Sequence, residues 1–322
     1  MNKSKLLLIV AISALCPLQG LAQLDAYEKV IALFEKTNLV LLGERHLSKL
    51  DSDFRIELVR HPQFPQRVND VVIEFGNSLY QDILDAYFIK LENLRQKELS
   101  KVWRNTTSTS GVWDSPIYQQ FLVELRKVNE KLPIATRIRV VAGGPPIDWG
   151  RVEVWEDQLP YMQRGWAAVR KIEREVLSKG RKALVIYGYG HFMRVDDELE
   201  EDDNIIRRLE SLYPEEKFYA VLPFAKKDGT FLNIEDTLKA KTFPVYIETQ
   251  SELFEKWSSK EFFYGGVKTL KDVADALIYF GKRNDERIRS SESFYQKNPE
   301  YHNELERRRS LKPRIKRRQS YN

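Results

Sequence analysis

The sequence predicts an α/β fold: a mainly parallel central sheet flanked by helices, with the site at the carboxyl ends of the strands. Three observations carry this reading. Short apolar runs recur without polar alternation, as strands buried on both faces require. Segments of helical periodicity separate most of them, at the length of a βαβ crossover. Glycine-containing polar stretches come directly after several runs, at the edge where α/β sheets bind ligands.

Taken in order, the chain opens with Lys3 and Lys5 ahead of an apolar stretch over 6–18, and the small residues Gly20 and Ala22 precede Gln23. This reads as a signal peptide over residues 1–22, too short to span a bilayer as a helix, and it predicts an exported protein, periplasmic or secreted. The single cysteine, Cys16, follows Leu15 rather than the small residue that lipid attachment wants. From residue 23 onward the chain has no cysteine, so its core alone must stabilise it.

Tyr27, Val30, Ile31, Leu33 and Phe34 share one helical face, Thr37 and Asn38 break it, and 39–42 reads as a strand. A helix over 50–60 leads to a strand over 71–73. Further strands are expected over 138–142, 183–187, 218–222 and 276–280, with helices over 79–99, 118–130 and 153–178. The Thr-, Ser- and Asn-rich stretch 104–116 reads as a long surface loop. With no repeat, low-complexity linker or Pro/Gly boundary, residues 23–283 form one domain, and 284–322 read as an extended, charged, basic appendage.

Composition sets the limits on partners. The chain has 322 residues, 42% hydrophobic and 11% aromatic, which fits a globular protein and neither a disordered nor a collagen-like one. Its net charge of +5 is misleading, because residues 303–322 hold eight basic residues against Glu304 and Glu306. The remaining body is slightly acidic, so no nucleic-acid partner is predicted. The tail reads either as a weak contact with an anionic membrane surface or as a solvated end.

The chemistry lies immediately past the strand ends. The first strand runs into Gly43-Glu44-Arg45-His46, the second into Glu74-Phe75-Gly76-Asn77, the third into a loop holding Asp148 and Trp149, and the fourth into Gly188-Tyr189-Gly190-His191. Of four histidines, two thus share the pattern strand, then Gly-x-x-His. The candidate reaction centre is His46, His191, Glu44 and Glu74. Two chemistries use such a set: a divalent metal (Mn, Zn or Co) held by the imidazoles and carboxylates, or a metal-free histidine base oriented by a glutamate.

Each residue also has a plainer reading. Glu74 abuts an apolar strand and needs a partner if buried. Glu44 reads as a site residue, an N-cap or a partner of Arg45, and Asp148 as a substrate contact or a helix cap. Arg45 and Arg194 flank the histidines and read as clamps for an anionic group or as solvated charges. Tyr189 lies inside the second motif, while Trp103, Trp113, Trp149 and Trp155 line a pocket or pack a core. No Gly-x-Ser-x-Gly elbow, P-loop, Gly-x-Gly-x-x-Gly or His-Glu-x-x-His is present, so serine-hydrolase, nucleotide-dependent and thiol mechanisms lack sequence support.

The segments Leu41-Leu42-Gly43-Glu44-Arg45-His46, Val72-Ile73-Glu74 and Ile186-Tyr187-Gly188-Tyr189-Gly190-His191 resemble the superfamily that joins erythromycin esterase-like proteins, ChaN-like haem-binding lipoproteins and TraB/Tiki metalloproteases. Trp103, the helix bearing Leu125, Arg126 and Asn129, and the stretch from Asp275 to Gly281 echo it further. The resemblance covers most of residues 37–283. Its esterase branch implies ester or lactone hydrolysis with His46 as base, supported by Glu44, Glu74 and His191. Its Tiki branch implies a metal-dependent protease using both Gly-x-x-His motifs, and its ChaN branch implies haem binding without catalysis. The chain departs from the esterase form Gly-Glu-x-x-His-Gly in carrying Leu47 after the histidine. The expectation is an exported hydrolase of a small-molecule or peptide substrate, with a haem- or metal-binding protein as the alternative.

Overall fold

A computed structural model describes residues 25–194, 203–224, 242–251, 269–281 and 284–311. The expected signal peptide and the basic residues after 311 lie outside the described residues. Among the described residues, no helix is long and apolar enough to cross a membrane.

Among the described residues, seven strands form one sheet in the order β3-β2-β4-β1-β5-β7-β6. They are β1 (Leu39–Glu44), β2 (Asp70–Asn77), β3 (Arg139–Gly144), β4 (Ala183–Gly188), β5 (Tyr219–Pro223), β6 (Val245–Glu248) and β7 (Ala276–Tyr279). All neighbours pair in parallel except β6 with β7, which are antiparallel. The α/β class and all six expected strands are therefore present. β6 is additional to them: its four residues form an edge strand too short to stand out as an apolar run.

The strands are apolar throughout because both faces of the sheet are covered. Along β1, Val40 and Leu42 enter one core while Leu39 and Leu41 enter the other; along β4, Leu184 and Ile186 part from Val185 and Tyr187 in the same way. The first core packs under the helices Lys49–Arg60, Gln81–Phe88 and Pro116–Asn129, and the second under Arg164–Glu175 and Ile205–Leu212.

Two expected helices are shorter than the periodicity suggests. The segment 79–99 is helical over Gln81–Phe88 and again over Gln96–Leu99, with Leu91 between them at φ 58°. The guanidinium of Arg126 donates to the carbonyls of Tyr87, Leu91 and Glu92, satisfying backbone oxygens that a continuous helix would have used. The segment 153–178 starts as a 3-10 turn over Trp155–Tyr161 and becomes an α-helix only from Arg164. Pro160 has no N–H to donate, and its ring clashes with the turn before it.

The C-terminal segment is not an extended appendage from residue 284, as its charge suggests; residues 284–311 pack against the domain. Lys49 N–H donates to the Glu286 carbonyl and Ile288 N–H to the Leu47 carbonyl, each at 2.9 Å. The helix Pro299–Leu311 returns across the 104–116 loop: Arg308 donates to the Arg104 carbonyl and Asn105, Arg307 to the carbonyls of Trp149 and Val152, and Arg309 to that of Thr109. Part of the basic charge that reads as a tail is thus consumed in anchoring.

Candidate active site

Strand order assembles the site. The chain runs from β1 through β2 to β3 on one side, and β4 then returns to the gap between β2 and β1 before β5 continues on the far side. The loop after β4 thereby lies between the ends of β1 and β2, placing the second Gly-x-x-His motif beside Glu74 and the first.

Glu44 follows Leu42 by two residues and so points to the same face, toward the helices Lys49–Arg60 and Pro116–Asn129. There its carboxylate meets Arg55 in a close ion pair and accepts a 3.0 Å hydrogen bond from the Tyr118 hydroxyl. The Arg55 side chain is 1% exposed, and its guanidinium lies over the rings of Tyr118 and Phe121, at 4.9 and 5.2 Å from their centroids. Burial raises the Glu44 pKa, but Arg55 and His46 more than offset this and hold it below the usual glutamate value.

His46 stands at the rim with a third of its side chain exposed, its Nδ1 3.0 Å from Glu44 Oε1 and its ring edge against Trp113 at 4.8 Å. The turn holding it runs through Leu47 at φ 71°, a left-handed conformation that glycine adopts readily and leucine only at a cost. Leu47 compensates by burying its side chain, and its N–H donates to the Tyr118 oxygen.

Glu74 lies where the β2 register against β3 shifts, on the strand face opposite Ile73 and Phe75. Its Oε2 accepts the Gly188 N–H at 2.7 Å and lies 3.7 Å from His46 Nε2, while its Oε1 lies 3.5 Å from His191 Nε2 and 3.9 Å from Arg164 Nη1. One carboxylate thus faces both imidazoles. Burial pushes the Glu74 pKa up, but the two histidines and the Gly188 N–H outweigh it and bring it to about 2. For both histidines burial disfavours the imidazolium, yet Glu74 raises each above the usual value, joined by Glu44 at His46 and by the Asp203 carbonyl at His191.

His191 places Nδ1 2.7 Å from the Asp203 carbonyl, and the Asp203 carboxylate holds Arg164 Nη2 at 2.7 Å and the Gly165 N–H at 3.1 Å. A cavity of about 480 Å³ opens here, lined by His46, Tyr189, His191, Arg164, Gln163 and Asp203 among others. The contact between strand ends is close enough to require Gly188: a Cβ there would lie 2.9 Å from His46 Cε1 and 3.0 Å from Nε2. Gly188→Ala is therefore expected to displace the imidazole and to lower any turnover on the order of 10²-fold, with a small change in melting temperature. Parallel activity and thermal-unfolding measurements check this.

Of the residues expected at the site, His46, His191, Glu44, Glu74 and Tyr189 converge. The others go elsewhere. Arg45 is buried in ion pairs with Asp51 at 2.7 Å and Asp285 at 3.0 Å, so it joins the His46 turn to the C-terminal segment rather than clamping a substrate. Arg194 pairs with Glu210 and Asp275 below the site. Asp148 caps the turn Trp149–Arg151 and pairs with Arg151. Trp103 is core. Arg55, Tyr118, Arg164 and Asp203 join the site without having stood out in the sequence. Arg55 leaves a signal there, since it shares a helical face with the apolar Leu58 and Val59, where a cation needs a buried partner. Arg164 and Asp203 leave none.

The donor set does not fit a metal as it is arranged. Among the described residues, no group of three or more His, Cys, Asp or Glu side chains is placed to hold one. The one carboxylate between the imidazoles is already engaged by the Gly188 N–H and faced by the Arg164 cation. Haem fits no better: each imidazole turns Nε2 toward Glu74, so axial ligation requires displacing that carboxylate.

Fold and site define an α/β protein with a histidine–glutamate cluster at the carboxyl edge of its sheet. A Bacillus cereus protein of known structure shares this fold, with a TM-score of 0.52 at 11% identity over 80% of this chain and 92% of that one. Two further structures superpose at lower scores: Campylobacter jejuni ChaN, described with cofacially bound haem (TM-score 0.44, 14% identity, 79% and 91% covered), and the type III effector HopBA1 (0.42, 11%, 80% and 94%). No family model and no curated protein matches the chain.

Proposed function

We propose that the protein is an exported hydrolase of ester or lactone bonds in which His46 acts as a metal-free general base. The observation that carries the proposal is the relay from Arg55 to Glu44 to His46 Nδ1, which orients the imidazole with Nε2 facing Glu74 at the edge of the cavity. The 3.7 Å between Nε2 and Glu74 Oε2 is too long for a direct hydrogen bond, so both atoms can hold one water from the cavity side. That water attacks the carbonyl carbon, and its proton passes to His46 Nε2. Arg164 and the His191 imidazolium face the same space and stabilise the negative charge that develops on the carbonyl oxygen. His46 then returns the proton to the leaving alkoxide as the acyl–oxygen bond breaks, so one water is consumed and one acid and one alcohol are formed. The resemblance to erythromycin esterase-like proteins supports this reading, and so does the apolar leader for the exported location.

A panel of p-nitrophenyl esters and aryl lactones tests it: turnover of at least one, lost with His46, is expected, and a panel left untouched by pure folded protein overturns it. The pH profile is a sharper readout. A base whose pKa is raised becomes available only as pH rises, so kcat/KM should climb along a limb lying above the ordinary histidine pKa. Glu74→Gln removes the negative charge that favours the imidazolium. Its limb should therefore move to lower pH even as the maximal rate falls, and a limb that stays in place excludes Glu74 as the cause.

A further inference from the structure

His46 borders a second cavity, of about 490 Å³, on the side away from Glu74. We infer that this cavity binds an anionic group of the substrate, a carboxylate or a phosphate, so that the hydrolysed bond lies at His46 and the charge beyond it. The inference rests on the hydrolase reading for the bond, but not for the anion.

The wall is made by the C-terminal segment. Residues 286–288 run beside the His46 turn as an antiparallel bridge between Arg287 and Ser48, tied by the Ile288 N–H to the Leu47 carbonyl and by the Ser115 hydroxyl to the Ile288 carbonyl. In extended chain, residues two apart share a face. Ile288 packs on the core, while Arg287 and Arg289 both line the cavity. A third cation, Arg309, comes from the helix Pro299–Leu311 with His302, seven residues earlier on the same helical face.

The acids nearby compensate Arg309 but leave Arg287 and Arg289 unpaired among the described residues. Glu306 is shared between Arg309 and His302, and the Asp114 carboxylate accepts the hydroxyls of Tyr295 and Tyr301. Among the described residues, neither the Arg287 nor the Arg289 guanidinium makes an ion pair. Cations gathered in a concave wall repel one another and concentrate anions, and a guanidinium fork matches a carboxylate or phosphate in shape. The ligand is therefore an anion small enough to sit beside His46.

Two arms test this. In the binding arm, inorganic phosphate and glutarate are titrated separately while the ring protons of His302 and His46 are followed by NMR. Saturable shifts are expected, weakened about tenfold or more in Arg287→Gln/Arg289→Gln. The tighter of the two anions identifies the group. In the kinetic arm, p-nitrophenyl acetate is compared with mono-p-nitrophenyl glutarate. The anionic ester should be preferred in kcat/KM by about tenfold, and the double variant should erase that preference through KM. Saturable binding without hydrolysis of either ester keeps the anion subsite and removes the hydrolase reading. No saturable shift with either anion, shifts unchanged in the folded double variant, or hydrolysis indifferent to charge overturns the inference.

Discussion

His46→Ala should abolish measurable hydrolysis, lowering kcat/KM by about 10² to 10⁴-fold, the range general-base catalysis contributes. The variant should keep its fold, because a third of the His46 side chain is exposed, its ring packs edge-on against Trp113, and Glu44 keeps Arg55 and Tyr118 when the imidazole is gone. Steady-state rates on the best ester of the panel, beside circular dichroism and thermal unfolding, decide the matter. A folded variant that retains turnover removes His46 from the chemistry. His191→Ala should be milder in rate, since His191 contributes charge to the oxyanion rather than taking the proton. It should disturb Arg164 as well, because both are held by Asp203.

The largest effect on stability belongs to Arg55→Met. The guanidinium is buried between Tyr118 and Phe121 and is paired with a carboxylate that is itself buried, so removing it leaves Glu44 charged without its main partner. Breaking such a pair from one side costs about 3 to 5 kcal/mol. Urea unfolding should show this as a lower midpoint at unchanged slope. Adding Glu44→Gln should recover much of the loss, because the stranded charge is then gone, and two additive losses would contradict the pairing. Acid should rescue the single variant in part: without Arg55 to hold its pKa down, Glu44 takes up a proton at higher pH and its burial becomes cheaper.

These two residues also mark where sequence reasoning reaches and where it stops. His46 is legible because its turn is local: a buried strand ends, a glycine comes next, and the side chain three residues on is aimed from that end. The same holds for His191 and for Glu74 directly after Ile73. Arg55 is half legible, as a cation on an apolar helical face whose partner the sequence does not name. Arg45 and Arg194 mislead for the opposite reason. Each lies within three residues of a site histidine, yet their ion pairs include Asp285 and Asp275, 240 and 81 positions away by number.

The C-terminal segment shows the same limit in charge. Read along the chain, residues 284–311 are too polar to belong to a core. In the fold they need little core, since their arginines bind backbone carbonyls at the ends of other elements, and Leu305, with Ile288 and Leu311 in part, supplies the apolar anchors.

The sequence by itself determined the α/β class, the six core strands and the two Gly-x-x-His turns, because burial on both faces and sharp turns after strands are properties of a few consecutive residues. Only the tertiary structure decided that β4 inserts between β1 and β2, that Glu74 faces both imidazoles, that Arg164 and Asp203 join them, and that a basic segment walls the far side of His46. Those are contacts between segments distant along the chain. They arise from strand order, helix placement and charge pairing in three dimensions, none of which leaves a local pattern.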